Sequence, residues 1–346
     1  MLLFMCFLLC GCVDQFRDFR YRDWTELDKA IVFARLVKQA KVFPGAQIVE
    51  VGVADALPNF TDSVRAGKRT VLLAQSELII IEKDFSKRKV PINGHFKKIA
   101  YQNNRFILYG SNQVTILDRD FKKIKDLQFS HSVDFVCDYG EHIVFITVNG
   151  IGYRYNQNYE LLWKSPPRNA YQRNIRSIAY NATQICLLNN QYTLYYINAD
   201  NGLIDKITTL DDLNAPVSLL FYDDILLASN KNTLAVRTDE KLITFELKEP
   251  VTLERLTDEL VAITGKSKIL IASPNSLVKG HYFTEIRGGD SCALLGSGLI
   301  VTDSNKVKIY DLNGQLVQEL TQDRILCTKD HLMVCKKGRT MIYSII

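Results

Sequence analysis

The sequence predicts an all-β protein, a β-propeller of eight four-stranded antiparallel blades, with seven blades as the alternative. Two observations carry this prediction: a hairpin-turn phrase returns at intervals of 33 to 43 residues, and eight short apolar runs accompany it. A spacing of about 40 residues is typical of propeller blades, which bury their faces only against their neighbours. Helical periodicity is confined to Trp24 to Ala40, so the body of the chain is expected to be β-structure.

Each copy of the turn phrase has an apolar strand end, a polar pair, an Asp or Asn, and a second strand that begins two or three residues later. We expect the Asp or Asn side chain to fold over its own backbone and so close the turn. The anchoring residues are Asp84, Asp120, Asn158, Asn201, Asp239 and Asn313, with a degenerate copy near Gly280.

The eight apolar runs are expected to be the second strands of the blades, because continuous apolar sequence suits a strand that is covered on both faces. They span 70–74, 105–109, 142–146, 184–188, 224–228, 259–263, 298–302 and 331–335.

The last blade then ends with a third strand, 339–346, and lacks a fourth. Gln47 to Val53 is a strand-like segment ahead of the first repeat. We expect it to pair with the last blade, to bury its isoleucine and valines, and to close the ring, which removes the open sheet edges.

Composition and charge fit a folded domain with a large core, since the 346 residues are 47% hydrophobic and carry a net charge of +5. This mild balance predicts no nucleic-acid partner. Positive charge gathers in the turns of the first two blades, at Lys87, Arg88, Lys122 and Lys123. Equivalent hairpins project from one face, so these residues are expected to form a basic patch for an acidic partner or anionic lipid headgroups. The alternative is a pair of ordinary solvated turns.

The N-terminal residues 1–11 are apolar but shorter than the roughly 20 residues of a transmembrane helix, which indicates a secretion signal. Residues 9–12, Leu-Cys-Gly-Cys, resemble the bacterial lipobox. That resemblance implies cleavage before Cys12, lipid attachment to its thiol and a periplasm-facing position in the envelope. Val13 after the cysteine implies the outer rather than the inner membrane. An uncleaved apolar tail and a non-lipidated signal are the alternatives.

The chain is therefore expected to have three parts: a lipoprotein-type signal peptide (1–11), a lipid-anchored tether with a short helix (12–45) and the propeller (46–346). Apolar residues at helical spacing, beginning with Trp24 and Leu27, follow a capping-box pattern at Asp23 and Glu26. We expect this helix to cover the first blade, with docking of a partner as the alternative.

The sequence contains no recognisable catalytic constellation, and its five histidines are scattered without a metal-ligand spacing. We therefore expect no enzyme activity, no cofactor and no metal site. Cys327 and Cys335 lie on consecutive strands, and a register centred on His331 would set them opposite each other for a disulfide. The alternative is that both are buried apolar residues. Tyrosines gather in blades 3 and 4, as they do in interfaces and also in strands.

The lipobox-like start, the eight-unit repeat and turns such as Asp311-Leu-Asn-Gly-Gln-Leu and Asn198-Ala-Asp-Asn-Gly-Leu resemble the PQQ-like repeat β-propellers of bacterial envelope lipoproteins, the BamB-like group. The repeats of this group usually carry a tryptophan in most blades, and this chain departs from that pattern because Trp163 is its only propeller copy. The resemblance implies a scaffold that holds envelope proteins together, as in outer-membrane protein assembly. A NapL-like accessory propeller of a periplasmic respiratory enzyme, and a quinoprotein-like enzyme with a ligand or metal in the central channel, are the alternatives.

Overall fold

A computed structural model of the chain describes residues 37–38, 45–55, 59–165, 175–191, 193–209, 218–229, 233–238, 242–247, 249–322, 324–327 and 331–345. Within these residues, eight four-stranded antiparallel sheets form the blades of a propeller. The first strands contact each other between blades 1 and 2, 4 and 5, 5 and 6, and 6 and 7, as expected for strands that lie around a central axis. The eight-bladed prediction is confirmed, and the seven-bladed alternative is wrong.

Blades 1 to 4 each use four consecutive strands. Their bounds are β3 Asp62–Ala66, β4 Arg69–Leu73, β5 Glu77–Ile81, β6 Lys87–Pro91, β7 Lys98–Gln102, β8 Arg105–Tyr109, β9 Gln113–Leu117, β10 Lys123–Gln128, β11 Val133–Tyr139, β12 His142–Thr147, β13 Gly152–Tyr155, β14 Leu161–Lys164, β15 Ile175–Tyr180, β16 Gln184–Asn189, β17 Thr193–Asn198 and β18 Ile204–Thr209.

Blades 5 and 7 follow the same plan, blade 6 has an insertion between its third and fourth strands, and blade 8 takes its outermost strand from the N-terminal part of the chain. The bounds are β19 Ser218–Tyr222, β20 Ile225–Ser229, β21 Thr233–Arg237, β22 Leu242–Glu246, β23 Val251–Arg255, β24 Val261–Gly265, β25 Lys268–Ala272, β27 Thr284–Arg287, β28 Ser291–Leu295, β29 Gly298–Asp303, β30 Lys306–Asp311, β31 Leu316–Thr321, β32 Arg324–Cys327, β33 His331–Lys336, β34 Arg339–Ile345 and β2 Ile48–Asp55.

The eight predicted second strands are confirmed, each to within two residues at either end. Leu72, Leu108 and Phe145, from three of them, are fully buried. Their burial follows from position, since a second strand is flanked by strands on both edges and by a neighbouring blade on both faces.

The hydrophobic core is divided among the seams between blades. Ile80 of blade 1 and Phe106 of blade 2 share one cluster, and Leu72 of blade 1 and Met333 of blade 8 share another. Burial of one such large apolar side chain stabilises the fold by about 1.5–3 kcal/mol. Each blade is therefore stabilised mainly through its two neighbours, as expected for a repeat architecture.

Ring closure by the N-terminal strand is confirmed. Strand β2 pairs antiparallel with β34, from Ile48 opposite Ile345 to Asp55 opposite Arg339. The expected burial of its valines is wrong, because Val49, Val51 and Val53 are 45%, 44% and 60% exposed. An outermost strand has no strand beyond it, so its stabilising contribution comes chiefly from the backbone ladder.

Three of the repeated turns close from the Asp or Asn two residues before the predicted anchor, whereas the turns at Asp84 and Asn201 use the predicted residue. In blade 2 the carboxylate of Asp118, two residues before the predicted anchor, accepts the N–H groups of Asp120 and Lys122, both at 2.8 Å. Phe121 then takes a φ of 66°, as in a hairpin loop that ends in a left-handed residue. Asp118, just after the end of strand β9, is better placed than Asp120 to accept the two N–H groups of the turn. Asp84 does accept from the Ser86 N–H at 3.1 Å, and the Asp239 turn lies outside the described residues.

Blade 6 carries an insertion where the degenerate turn was predicted. A short helix, α1 (Pro274–Val278), and strand β26 (His281–Tyr282) separate β25 from β27. Strand β26 pairs in parallel with β1, Val37–Lys38. The helix predicted through Ala40 is therefore wrong at these two residues, because exposed backbone of the insertion pairs with them; the rest of it lies outside the described residues. No helix in the described part of the chain is long and apolar enough for a membrane span.

Candidate interaction surface

One end of the ring carries the turns that join strand one to strand two of each blade and, except in blade 8, strand three to strand four. They share an end because successive strands of a blade are antiparallel. We call this end the turn face. The four predicted patch residues lie in its outer turns: Lys87 and Arg88 begin β6 of blade 1, and Lys122 and Lys123 stand at the start of β10 of blade 2. All four side chains are exposed.

A contact across the seam makes the two turns one surface. The guanidinium carbon of Arg88 lies 5.2 Å from the centroid of the Phe121 ring. That ring stacks on Phe106, with centroids 4.6 Å apart. A cation over an aromatic face is attracted by the ring quadrupole. Arg88 therefore couples the outer strand of blade 1 to the turn of blade 2, at the residue that precedes Lys122.

Several carboxylates of blades 1 and 2 are engaged within the protein, whereas Asp120, in the same outer turn as Lys122, is exposed. Glu82 accepts from Arg69 at 2.9 Å and Glu77 from Lys89 at 2.8 Å. A hydrogen bond from Thr115, aided by Lys123, holds the pKa of Asp126 below its usual range.

The excess charge is positive. Lys83, Lys122 and Lys125 are exposed and make no ion pair with any residue that the structure describes. These three lysines, with Lys87 and Arg88, form what we call the basic surface.

The basic surface ends at the seam between blades 2 and 3. The outer turn of blade 3, residues 155–160, has no Lys or Arg and carries Glu160. The outer turn of blade 4, residues 198–203, has none either and carries Asp200, whose side chain is 80% exposed. The positive field is therefore local to two adjacent blades.

Polar residues near the axis were not identified from the sequence. Asp62 accepts the Ile99 N–H of the next blade at 2.8 Å. Lys98 and Asp134, from blades 2 and 3, pair at 2.7 Å. Burial raises the pKa of Glu254, which accepts the Cys292 N–H across the seam between blades 6 and 7 at 2.5 Å. The sequence signal that could have identified these residues is a charged residue that recurs in the first strands of the blades. Their hydrogen bonds and ion pairs connect neighbouring blades.

The predicted opposition of Cys327 and Cys335 is wrong. Cys335 faces Arg324 and Cys327 faces Leu332, and both are free thiols. The observed pairing is centred between residues 329 and 330, closer to Cys327 than the predicted centre at His331. Cys327 and Cys335 are therefore offset along the hairpin. Burial raises the pKa of the Cys327 thiol to about 11, which keeps it protonated and unreactive at neutral pH.

The described residues contain no group of three or more His, Cys, Asp or Glu side chains able to hold a metal. Tyr153, Tyr155, Tyr195 and Tyr196 are buried, so these tyrosines of blades 3 and 4 serve the core. Tyr171 and Tyr192 lie outside the described part of the chain.

No protein-family model matches the chain, and no curated protein matches it in sequence. Solved structures do match in fold. BamB from Moraxella catarrhalis aligns with a TM-score of 0.63 at 12% identity, over 86% of this chain and 100% of that one.

Two further propellers align over similar lengths. Sqt1 of Saccharomyces cerevisiae gives a TM-score of 0.65 at 11% identity, over 85% of this chain and 98% of that one. The C-terminal WD40 domain of Sif2 gives 0.61 at 9% identity, over 86% and 98%. At such identities the likeness is one of fold alone, shared by PQQ-like and WD40 propellers.

Proposed function

We propose that the protein is a non-enzymatic scaffold that binds an acidic region of a partner protein through the basic surface on blades 1 and 2. The observation that carries this proposal is the charge arrangement. Exposed cations in the neighbouring outer turns of two blades outnumber the carboxylates there, of which Glu82 and Asp126 are hydrogen-bonded within the protein. Such a surface steers and orients a partner of opposite charge. Because each blade packs against its two neighbours, the propeller can present surface side chains to a partner in fixed positions.

The setting that we propose is the bacterial envelope. The lipobox-like residues 9–12 support a lipid anchor at Cys12, and the fold likeness to BamB supports a periplasm-facing scaffold at the outer membrane. In this proposal the partners are envelope proteins, and outer-membrane protein assembly is the process that the scaffold serves.

Charge reversal tests the interaction surface. The double variant Lys83→Glu/Lys122→Glu is expected to recover at least about tenfold less partner protein from solubilised envelopes, since each reversed charge costs on the order of 1 kcal/mol. Wild-type recovery should also fall with rising salt. Quantitative mass spectrometry of affinity-purified samples measures both effects.

A matched control for this experiment is Lys266→Glu/Lys279→Glu, which makes the same charge change at two exposed lysines of blade 6. It should recover partners like the wild type. Equal recovery by both double variants and the wild type would refute the basic surface as the contact.

The anchor has its own test. Cys12→Ser is expected to move the protein from the membrane fraction to the soluble fraction, because it removes the thiol that would carry the lipid. The melting temperature should not change, because Cys12 precedes the propeller. Cys10→Ser is the control, because it leaves the attachment residue in place and should stay with membranes. If Cys12→Ser sediments with membranes as the wild type does, the anchor proposal is wrong.

A further inference from the structure

A cavity of about 270 Å³ opens on the turn face at the seam between blades 2 and 3. Three turns surround it: 102–105 from blade 2, and 140–142 and 156–159 from blade 3. Ile107 and Ile143 also line it, and both are buried. The volume equals that of about nine liquid water molecules at about 30 Å³ each, which is room for one small ring-shaped ligand.

The wall of this cavity is held in place by contacts across the seam. The amide of Asn103 donates to the carbonyl of Gly140. Arg105 donates to the carbonyl of Gln157 at 2.6 Å, and its guanidinium carbon lies 5.0 Å from the centroid of the Tyr159 ring. Because both turns are tied to each other, a ligand would meet a site that is already formed, and binding would not have to order it.

Two buried polar atoms at this cavity lack a hydrogen-bond partner among the residues that the structure describes. They are Gln102 Oε1 and His142 Nδ1, and both residues line the cavity. Nearly all buried polar groups in folded proteins are hydrogen-bonded, so such atoms call for water or a ligand. Two of them at one cavity indicate a place where a polar molecule completes the structure.

The chemistry of the wall selects the kind of molecule. Arg105 and Glu141 carry opposite charges, so the wall as a whole favours no ion. Five lining residues bear carboxamides, which both donate and accept hydrogen bonds: Gln102, Asn103, Asn104, Asn156 and Gln157. Asn156 uses both of its groups within its own turn. Asn103 donates to Gly140 and Asn104 accepts from Tyr101, so Gln102, Gln157 and the NH2 group of Asn104 are the carboxamide groups that a ligand can engage. Hydroxyl groups also donate and accept, and the isoleucines and Tyr159 offer apolar area for the C–H face of a ring.

We propose that the cavity between blades 2 and 3 binds one residue of a neutral saccharide. The sugar hydroxyls pair with Gln102, Gln157, His142 and the NH2 group of Asn104, while the apolar face of the sugar ring lies over Ile107 and Ile143. This site is separate from the basic surface, and it does not depend on the scaffold proposal.

Calorimetric titration and saturation-transfer NMR of the full chain with methyl α-D-glucopyranoside and with N-acetylglucosamine test this proposal. At least one sugar is expected to bind saturably with a Kd of about 0.1–10 mM, as a small rigid ligand with few contacts does. His142→Leu and Asn104→Gly should each raise the Kd about tenfold or more. Asn104 has a φ of 60°, so glycine keeps that backbone conformation.

The matched control is Gln184→Leu, because Gln184 begins the second strand of blade 4 as His142 begins that of blade 3. This variant should bind sugar like the wild type, and so should Lys83→Glu/Lys122→Glu. Absence of saturable binding by both sugars would overturn the proposal, and so would unchanged affinity in both site variants. Saturable binding of the peptide Ala-Asn-Gly without binding of either sugar would assign the cavity to polypeptide instead. Thermal melts identify any variant that does not fold.

Discussion

A chain that begins at Asn59 is expected to lose cooperative folding, whereas a chain that begins at Ala46 should melt near the full-length protein. The longer chain keeps strand β2, whose ladder with β34 runs from Ile48 to Asp55. At about 1 kcal/mol for each hydrogen bond, loss of this ladder removes several kcal/mol from a stability that is about 5–15 kcal/mol for typical domains. It also uncovers buried residues of β34 such as Ile342 and leaves an edge open to aggregation.

Thermal melting and size-exclusion chromatography of the two truncated chains measure this effect. The exposed side chains of β2 provide the control, because Val53 is 60% exposed. Val53→Thr should therefore change the stability by less than about 1 kcal/mol. Two truncated chains that melt alike, as monomers, would show that β2 does not close the ring.

Trp163→Ala is expected to destabilise the fold by about 2–4 kcal/mol, within or just below the range for removal of a large aromatic side chain. Trp163 lies on β14, the outer strand of blade 3, and its indole N–H donates to the carbonyl of Ala199 in blade 4 at 3.1 Å. Its ring also covers Gly202, where an added Cβ would lie 2.6 Å from it. The side chain thus packs on the next blade's turn and fixes the two blades together.

Denaturant unfolding of Trp163→Ala beside Leu162→Ala measures this contribution. Leu162 is the neighbouring residue on the same strand and is 50% exposed, so its truncation should cost under about 1 kcal/mol. Gly202→Ala should also destabilise, because Gly202 has a φ of 73° and the new methyl group would meet the indole. Similar midpoints for Trp163→Ala and Leu162→Ala would show that the seam does not depend on the tryptophan.

The sequence alone determined the architecture of the propeller. The turns recur because every blade needs the same hairpins, and the second strands stand out because burial on both faces requires unbroken apolar runs. Both signals are local, within one blade of about 40 residues. Closure by Gln47 to Val53 followed from counting strands. The position of the basic residues on one face followed from the equivalence of the turns at Asp84 and Asp120.

Only the tertiary structure decided how the blades meet. No sequence pattern predicts three of the features described above. They are the contact of Arg88 with the Phe121 ring, the cavity at Gln102 and His142, and the offset between Cys327 and Cys335. The contact of Arg105 with Gln157 joins residues 52 positions apart. Such pairs depend on the relative placement of two blades, which the packing of each seam sets and no local repeat encodes.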